Sequence, residues 1–115
     1  MFGDGTTSRD YTYVDDTIQG IISAMNYDKT NFEVINLGNN YSVSLKELIN
    51  SIEKVTRKKA IIEQLPEQPG DVPKTFADIS KAKKLLAYSP TTKLNEGLGK
   101  FYKWFSQHEE LLLRQ

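Results

Sequence analysis

The chain contains no cysteine, which excludes disulfide staples, thiolate nucleophiles and cysteine–zinc sites. A single histidine, His108, rules out a multi-histidine metal site built from this chain. Charge of one sign is missing too. Fifteen Lys and Arg balance fifteen Asp and Glu, so no global field draws the chain to nucleic acid or to an acidic membrane surface. No apolar run approaches the ~20 residues of a membrane helix, and the N-terminus lacks the charged-then-apolar pattern of a signal peptide. A soluble, cytoplasmic protein without nucleic-acid or membrane partners is expected, and the lack of cysteine suits a reducing compartment. Proline is scarce and clustered: three of the four lie between Pro66 and Pro73. There is no internal repeat, low-complexity tract or dividing linker. The 115 residues have the length of one ordinary domain, 1–115.

Among the residues that are present, periodicity predicts four helices and about four short strands, a mixed α/β unit. Arg9–Val14 is rich in β-formers and reads as a strand. Asp15 or Asp16 then caps a helix carrying Ile18, Ile21, Ile22 and Met25 at i, i+3, i+4 and i+7, a stripe that predicts a buried face. Asn26–Asn31 is a polar turn, and Phe32–Leu37 reads as a strand stopped by Gly38-Asn39-Asn40. Ser44 and Glu47 form a capping box for a helix with Leu45, Leu48, Ile49, Ile52 and Val55 along one side. Ala60–Leu65 and Lys74–Ala77 read as strands flanking the Pro66–Pro73 loop. Asp78 or Ser80 caps a helix through Ile79, Ala82, Leu85 and Leu86. The last helix uses Leu94, Leu98, Phe101 and Phe105 and is expected to fray from Glu109 to Gln115, with Leu111–Leu113 as a tail patch. Phe32–Leu37 followed by the Ser44 helix looks like a βα element of a larger parallel sheet. Alone, it would expose a strand edge and apolar surface.

Two residues stand out chemically. Arg9 follows the Gly3-Asp4-Gly5 turn, and its planar fork of donors suits a diphosphate better than lysine's point charge. The plainer alternative is a surface ion pair with Asp10 or Asp15. Asp71 lies in Gln68-Pro69-Gly70-Asp71, where glycine admits close backbone approach and the carboxylate can accept from two ribose hydroxyls. The plainer alternative is an ordinary Pro-Gly-Asp turn. Tyr11, Tyr13 and Tyr41 can stack on a base, or simply pair across strands. Asp15 and Asp16 read as helix caps, and His108 as a solvated surface residue. Gly3-x-Gly5 lacks the preceding strand and following helix of a dinucleotide fingerprint. None of the six tyrosines has a lysine four residues later.

Four blocks resemble the nucleotide-sugar epimerase/dehydratase family of extended short-chain dehydrogenase/reductases. They are Phe2-Gly3-Asp4-Gly5 through Arg9-Asp10-Tyr11 to Val14-Asp15-Asp16; Phe32 to Asn36-Leu37-Gly38; Gln68-Pro69-Gly70-Asp71-Val72 to Ala77-Asp78-Ile79-Ser80-Lys81-Ala82; and Glu96-Gly97-Leu98 to Trp104-Phe105. The likeness is greatest to UDP-glucuronate and UDP-glucose 4-epimerases. It implies the C-terminal, substrate-binding lobe of an NAD-dependent isomerase, lacking most of the Rossmann sheet. The N-terminal NAD-binding half and the family's Tyr-x-x-x-Lys pair would lie outside this chain, which would be inactive alone.

By the same resemblance Arg9 would contact the diphosphate, Tyr11 line the nucleotide pocket, Val43 pack against uracil and Asp71 take the ribose hydroxyls. Gln68 stands where many UDP-glucose epimerases carry a second phosphate-binding arginine; glutamine there resembles the glucuronate branch. Asp71 replaces the histidine usual in 4,6-dehydratases, which favours an epimerase. Arg57 and Ala87 follow helices where relatives often place glycine, which would take a left-handed cap cheaply; if these two residues must take φ > 0, each costs on the order of 1 kcal/mol. Two other readings are a stand-alone UDP-sugar binding module without turnover, and a decayed structural protein.

Overall fold

The computed structural model describes residues 1–112. Its elements are β1 (Ser8–Asp10), α1 (Val14–Met25), β2 (Ser42–Ser44), α2 (Leu45–Thr56), α3 (Ser80–Leu86) and α4 (Leu94–Leu112). β1 pairs antiparallel with β2, with Arg9 opposite Val43. On its other side β1 meets residues 73–75 in a parallel bridge: the Ser8 N–H donates to the Pro73 carbonyl at 2.9 Å and the Thr75 N–H to the Ser8 carbonyl at 3.0 Å. A three-residue strand is thus the middle of a three-segment ribbon, and the segments beside it come from distant parts of the chain.

Helix α2 starts where the sequence places it. The Ser44 hydroxyl accepts from the Glu47 N–H at 3.2 Å and the Glu47 carboxylate accepts from the Ser44 N–H at 2.9 Å, a complete capping box. The next two amides of the first turn donate to the opening loop, Leu45 to the Thr7 carbonyl and Lys46 to the Gly5 carbonyl. The loop therefore docks on the helix end, and the orphan donors there are spent. α2 packs against α4, with Leu45, Leu48, Ile49 and Val55 half-buried on one side and Leu94, Leu98 and Phe105 on the other.

The buried core is small and lies around α3. It comprises Ile79, Ala82, Leu86 and Tyr88, with Tyr27, Ile35, Leu37, Ala77 and Leu85 packed around it. The Tyr88 hydroxyl donates to the Gly38 carbonyl at 2.9 Å, so its one polar group is satisfied inside the core. Burial pushes that phenol's pKa up, with Asp16 and Asp10 adding to the shift. α1 reaches this core through Gly20: a side chain there would collide with Leu37, whose Cδ2 lies 2.7 Å from the position a Cβ would take.

Several expectations need correcting. The Ile18, Ile21, Ile22 and Met25 stripe is exposed, and the buried residues of α1 are Asp16 and Gly20 on another face. Neither Asp15 nor Asp16 caps the helix, since the N-cap is Tyr13 without a side-chain bond. Asp16 instead accepts from the Thr91 and Thr92 amides at 3.2 and 3.0 Å, fastening α1 to the approach to α4. Phe32–Leu37 alternates in burial like a strand but is not paired into a sheet. Phe32 is 82 % and Val34 67 % exposed, which is the open edge foreseen.

Ala60–Leu65 and Lys74–Ala77 reduce to single bridges, Leu65 with Phe2 and Lys74 with Ser8. A segment of strand-like composition needs a partner edge, and short pieces without one stay extended. Arg9–Val14 contracts to Ser8–Asp10 because α1 begins at Val14. α3 begins after Ile79, although the Asp78 carboxylate does accept from the Ser80 N–H at 2.9 Å. α4 continues through Leu112 without fraying at Glu109, and the expected Leu111–Leu113 patch falls outside the described side chains. His108 is more than a solvated residue: it stacks on Trp104 at 5.1 Å, and its Nδ1 lies 2.8 Å from the Trp104 carbonyl oxygen.

The radius of gyration is 17.0 Å, against roughly 13 Å for a compact domain of this length. The excess reflects an elongated form, 50 × 36 × 26 Å along its principal axes.

Arg57 and Ala87 both take the left-handed conformation, with φ of 57° and 51°. Ala87→Gly is expected to stabilise the fold by on the order of 1 kcal/mol, read as a higher denaturation midpoint. Asp16 gives a pH signature. Burial works to raise its pKa, but the Thr92 and Thr91 amides outweigh it and hold the carboxyl below its ordinary 3.8. A depressed folded pKa means the stabilisation is complete above 3.8 and is lost as pH falls through the lower folded value. Asp16→Ala should cost about 1–3 kcal/mol at neutral pH, and urea titrations should show the gap to the unaltered chain closing in acid.

Candidate functional site

Strand geometry sorts β1 into two jobs. Successive side chains point to opposite faces, so Asp10 and Arg9 turn opposite ways. Asp10 turns inward. Its Oδ1 accepts from the Asn39 N–H at 2.9 Å, and its Oδ2 from the Asn40 and Ala77 N–H groups, both at 3.1 Å. Its own amide donates to the Thr75 hydroxyl at 3.2 Å. The carboxylate therefore ties the Gly38–Asn40 turn and the 75–77 segment to β1. The fit is tight: a Cβ on Gly38 would lie 2.4 Å from that of Ala77.

Arg9 turns outward. Its Nη1 donates to the Ser8 carbonyl at 2.9 Å, which orients the guanidinium, and its Nη2 donates to Asp71 Oδ1 at 2.6 Å. Neither Asp10 nor Asp15 is the partner that neighbouring sequence suggested. Asp71 arrives from 62 residues away on a turn in which its N–H donates to the Gln68 carbonyl at 3.2 Å. Pro69 and Gly70 are the central residues, and Gly70 has φ of 85° with open space where a side chain would be. This is the pattern of a type II turn, where the third position needs φ > 0. The Pro-Gly-Asp turn is real, and it also presents its carboxylate to Arg9.

The candidate residues converge only in part. Gln68 and Asp71 line one hollow of about 120 Å³ with Phe2, Thr6, Thr7, Glu67 and Pro73. Val43 is opposite Arg9 in register and 4 % exposed, and it borders a cleft of about 840 Å³ beside Tyr41, Asn50 and Lys54. Tyr11 lies beyond the end of β1 and lines a separate apolar cleft of about 280 Å³ with Tyr13, Leu48 and Phe101. Lys100 sits 5.1 Å over the Tyr13 ring and pairs with Glu96 at 2.9 Å. Asp10 was missed as a positioning residue. An acid inside a short strand, directly before a run of aromatics, is the signal that could have found it. Phe2, Thr6 and Thr7 were read as loop and prove to wall the hollow.

The chemistry on offer is oxyanion and hydroxyl recognition: one carboxylate and one amide side chain line the hollow, and an oriented guanidinium is paired to that carboxylate. Among the described residues no cluster of three His, Asp or Glu could hold a metal, and no helix is long and apolar enough to cross a membrane. The residues do not fit NAD held in a glycine-rich cradle. Gly3 and Gly5 precede a strand rather than opening a helix, and the α2 N-terminus is already filled by loop carbonyls.

The sequence profile described as GDP-mannose 4,6 dehydratase matches residues 1–101. An uncharacterised protein of Methanocaldococcus jannaschii is 43% identical over 114 residues, 99% of this chain and 35% of that protein. A UDP-glucuronate 4-epimerase of Thermodesulfobacterium geofontis is 41% identical over 113 residues, covering 97% of this chain and 34% of that protein. The crystal structure of UDP-glucuronic acid 4-epimerase from Bacillus cereus, in complex with UDP-glucuronic acid and NAD, superposes with a TM-score of 0.84 at 44% identity, over 93% of this chain and 34% of that one. This chain thus spans about a third of the length of the relatives it matches. A profile match across 1–101, with the mixed α/β fold superposing on solved epimerases, shows that the chain belongs to the NAD-dependent nucleotide-sugar epimerase/dehydratase family and has the fold of its C-terminal lobe.

Proposed function

We propose that this chain is the nucleotide-diphosphate grip of a UDP-sugar 4-epimerase, without turnover on its own. One observation carries the reading: Arg9 and Asp71, distant in sequence, meet at 2.6 Å, and Asp71 lines one hollow together with Gln68. Arg9 takes the diphosphate, where a guanidinium matches paired oxyanions. Asp71 accepts from the ribose hydroxyls. Val43 packs against the base, Tyr11 lines its own cleft beyond β1 for the rest of the nucleotide, and Gln68 donates where a second cation would otherwise sit. Anchoring the UDP moiety and leaving the sugar unheld suits an epimerisation in which the sugar must turn over between two faces. The 41% identity to a UDP-glucuronate 4-epimerase, and a structural neighbour solved with UDP-glucuronic acid and NAD, support this choice of ligand.

In this reading the redox chemistry, its NAD and the proton-transferring groups belong to a dinucleotide-binding half. That half covers the exposed stripe of α1 and pairs with the Phe32–Leu37 edge. The cysteine-free composition suits the cytoplasm, where this reading places the enzyme.

Titrating the chain with UDP while following amide NMR shifts tests the grip. Saturable shifts at Arg9, Val43 and Gly70 are expected. Arg9→Ala should weaken UDP roughly ten- to a hundredfold, as expected for losing a hydrogen bond to a charged group. Equal affinity in the variant would remove Arg9 from the site.

A further inference from the structure

We propose that Asp71 occupies the diphosphate's place on Arg9 until a ligand arrives, and that this exchange makes the site select nucleoside diphosphates over free pyrophosphate. The inference rests on the proposed nucleotide grip and adds a mechanism of discrimination to it.

The geometry points to a stand-in. Only Asp71 Oδ1 engages, and it takes a single arm of the guanidinium, while the other arm is held by the Ser8 carbonyl. A carboxylate oxygen and a phosphate oxygen make the same demand on such a donor. The pair is open to water: the Arg9 side chain is 28 % and the Asp71 side chain 47 % exposed. Exposed ion pairs hold weakly, so a better anion can displace this one.

The turn can also move. Residues 60–74 are all exposed, and Gly70 has nothing within 4 Å of its missing side chain. Among the described contacts, the strap from Pro66 to Val72 is tied by bridges at its ends, Leu65 to Phe2 and Lys74 to Ser8, and by the Arg9–Asp71 pair. Swinging Asp71 aside disturbs neither the Ile79–Tyr88 core nor β1.

Discrimination follows from what becomes of the displaced carboxylate. Pyrophosphate can take Arg9 but leaves Asp71 ionised beside a second anion, with no new partner. Like charges at close range oppose that arrangement. A nucleoside without phosphates has nothing to offer Arg9 and leaves the pair closed. A nucleoside diphosphate supplies the oxyanion to Arg9 and two hydroxyls to Asp71, so both ends of the broken pair are satisfied again.

Calorimetric titration of the full chain with UDP and with inorganic pyrophosphate tests the exchange, using Asp71→Asn, Arg9→Ala and the double variant. Asp71→Asn should bind pyrophosphate about two- to fivefold tighter, the range released by an exposed pair, and should bind UDP no tighter than before. The pyrophosphate gain should vanish in the Arg9→Ala background, since a coupled pair shows non-additivity and a diffuse charge effect does not. Asp28→Asn, which removes the same charge from an exposed position outside the hollow, should leave the UDP-to-pyrophosphate ratio unchanged. If Arg9→Ala weakens UDP while Asp71→Asn leaves pyrophosphate unaltered, the exchange is wrong and the grip stands. Equal tightening of both ligands, or a gain that survives Arg9→Ala, also overturns the exchange. If Arg9→Ala leaves UDP affinity intact, or neither ligand saturates at millimolar concentration, the grip and the exchange fall together.

Discussion

A single carboxylate holds the ribbon that everything else is placed on. Asp10 accepts amides from Asn39, Asn40 and Ala77, so two stretches with little regular structure of their own are fixed relative to β1. Those stretches carry the Gly38 carbonyl that receives the Tyr88 hydroxyl and the Ala77 methyl that packs on the core. Bonds from backbone N–H groups to a charged acceptor are among the stronger ones available to a small fold. Because alternation turns Arg9 to the other face, one dipeptide anchors the interior and supplies the cation of the proposed grip.

What could be read in the sequence was local. The Ser44–Glu47 capping box formed as written, since its partners are three residues apart. Arg57 and Ala87 follow helices where relatives often place glycine, and both take the left-handed φ that a glycine there would adopt cheaply. What escaped the reading was long-range. Asp16 looked like a cap, and its true partners are the Thr91 and Thr92 amides. Arg9 was weighed against its acidic neighbours, and its counter-ion stands on a turn beyond two helices. The Phe32–Leu37 strand had the right alternation and lacked only an edge to pair with. Periodicity reports which face of an element is apolar, and it does not report what covers that face. α1 shows the limit: its stripe is real and exposed, and Asp16 and Gly20 are what it buries.

That stripe bears on how the fold is stabilised. The fully buried side chains cluster on α3 and Tyr88, and much of the remaining apolar surface lies on α1, the open edge and one face of α4. Surface of this kind, on a chain matching a third of much longer relatives, is what a lobe shows where it would meet another lobe. The polar connections do more of the organising than is usual, through the Asp10 and Asp16 carboxylates and the Tyr88 hydroxyl.

The tethered strap has a consequence for proteolysis. It is exposed along its length, carries no core residue and lies between the two halves of the proposed grip. Cleavage between Leu65 and Asp71 would put Arg9 and Asp71 on different polypeptides while every buried side chain kept its neighbours. A nicked molecule could therefore keep its helical signal and cooperative melting and yet hold its ligand poorly. Susceptibility to limited digestion, and protection from it by bound nucleotide, would report on the site separately from the fold.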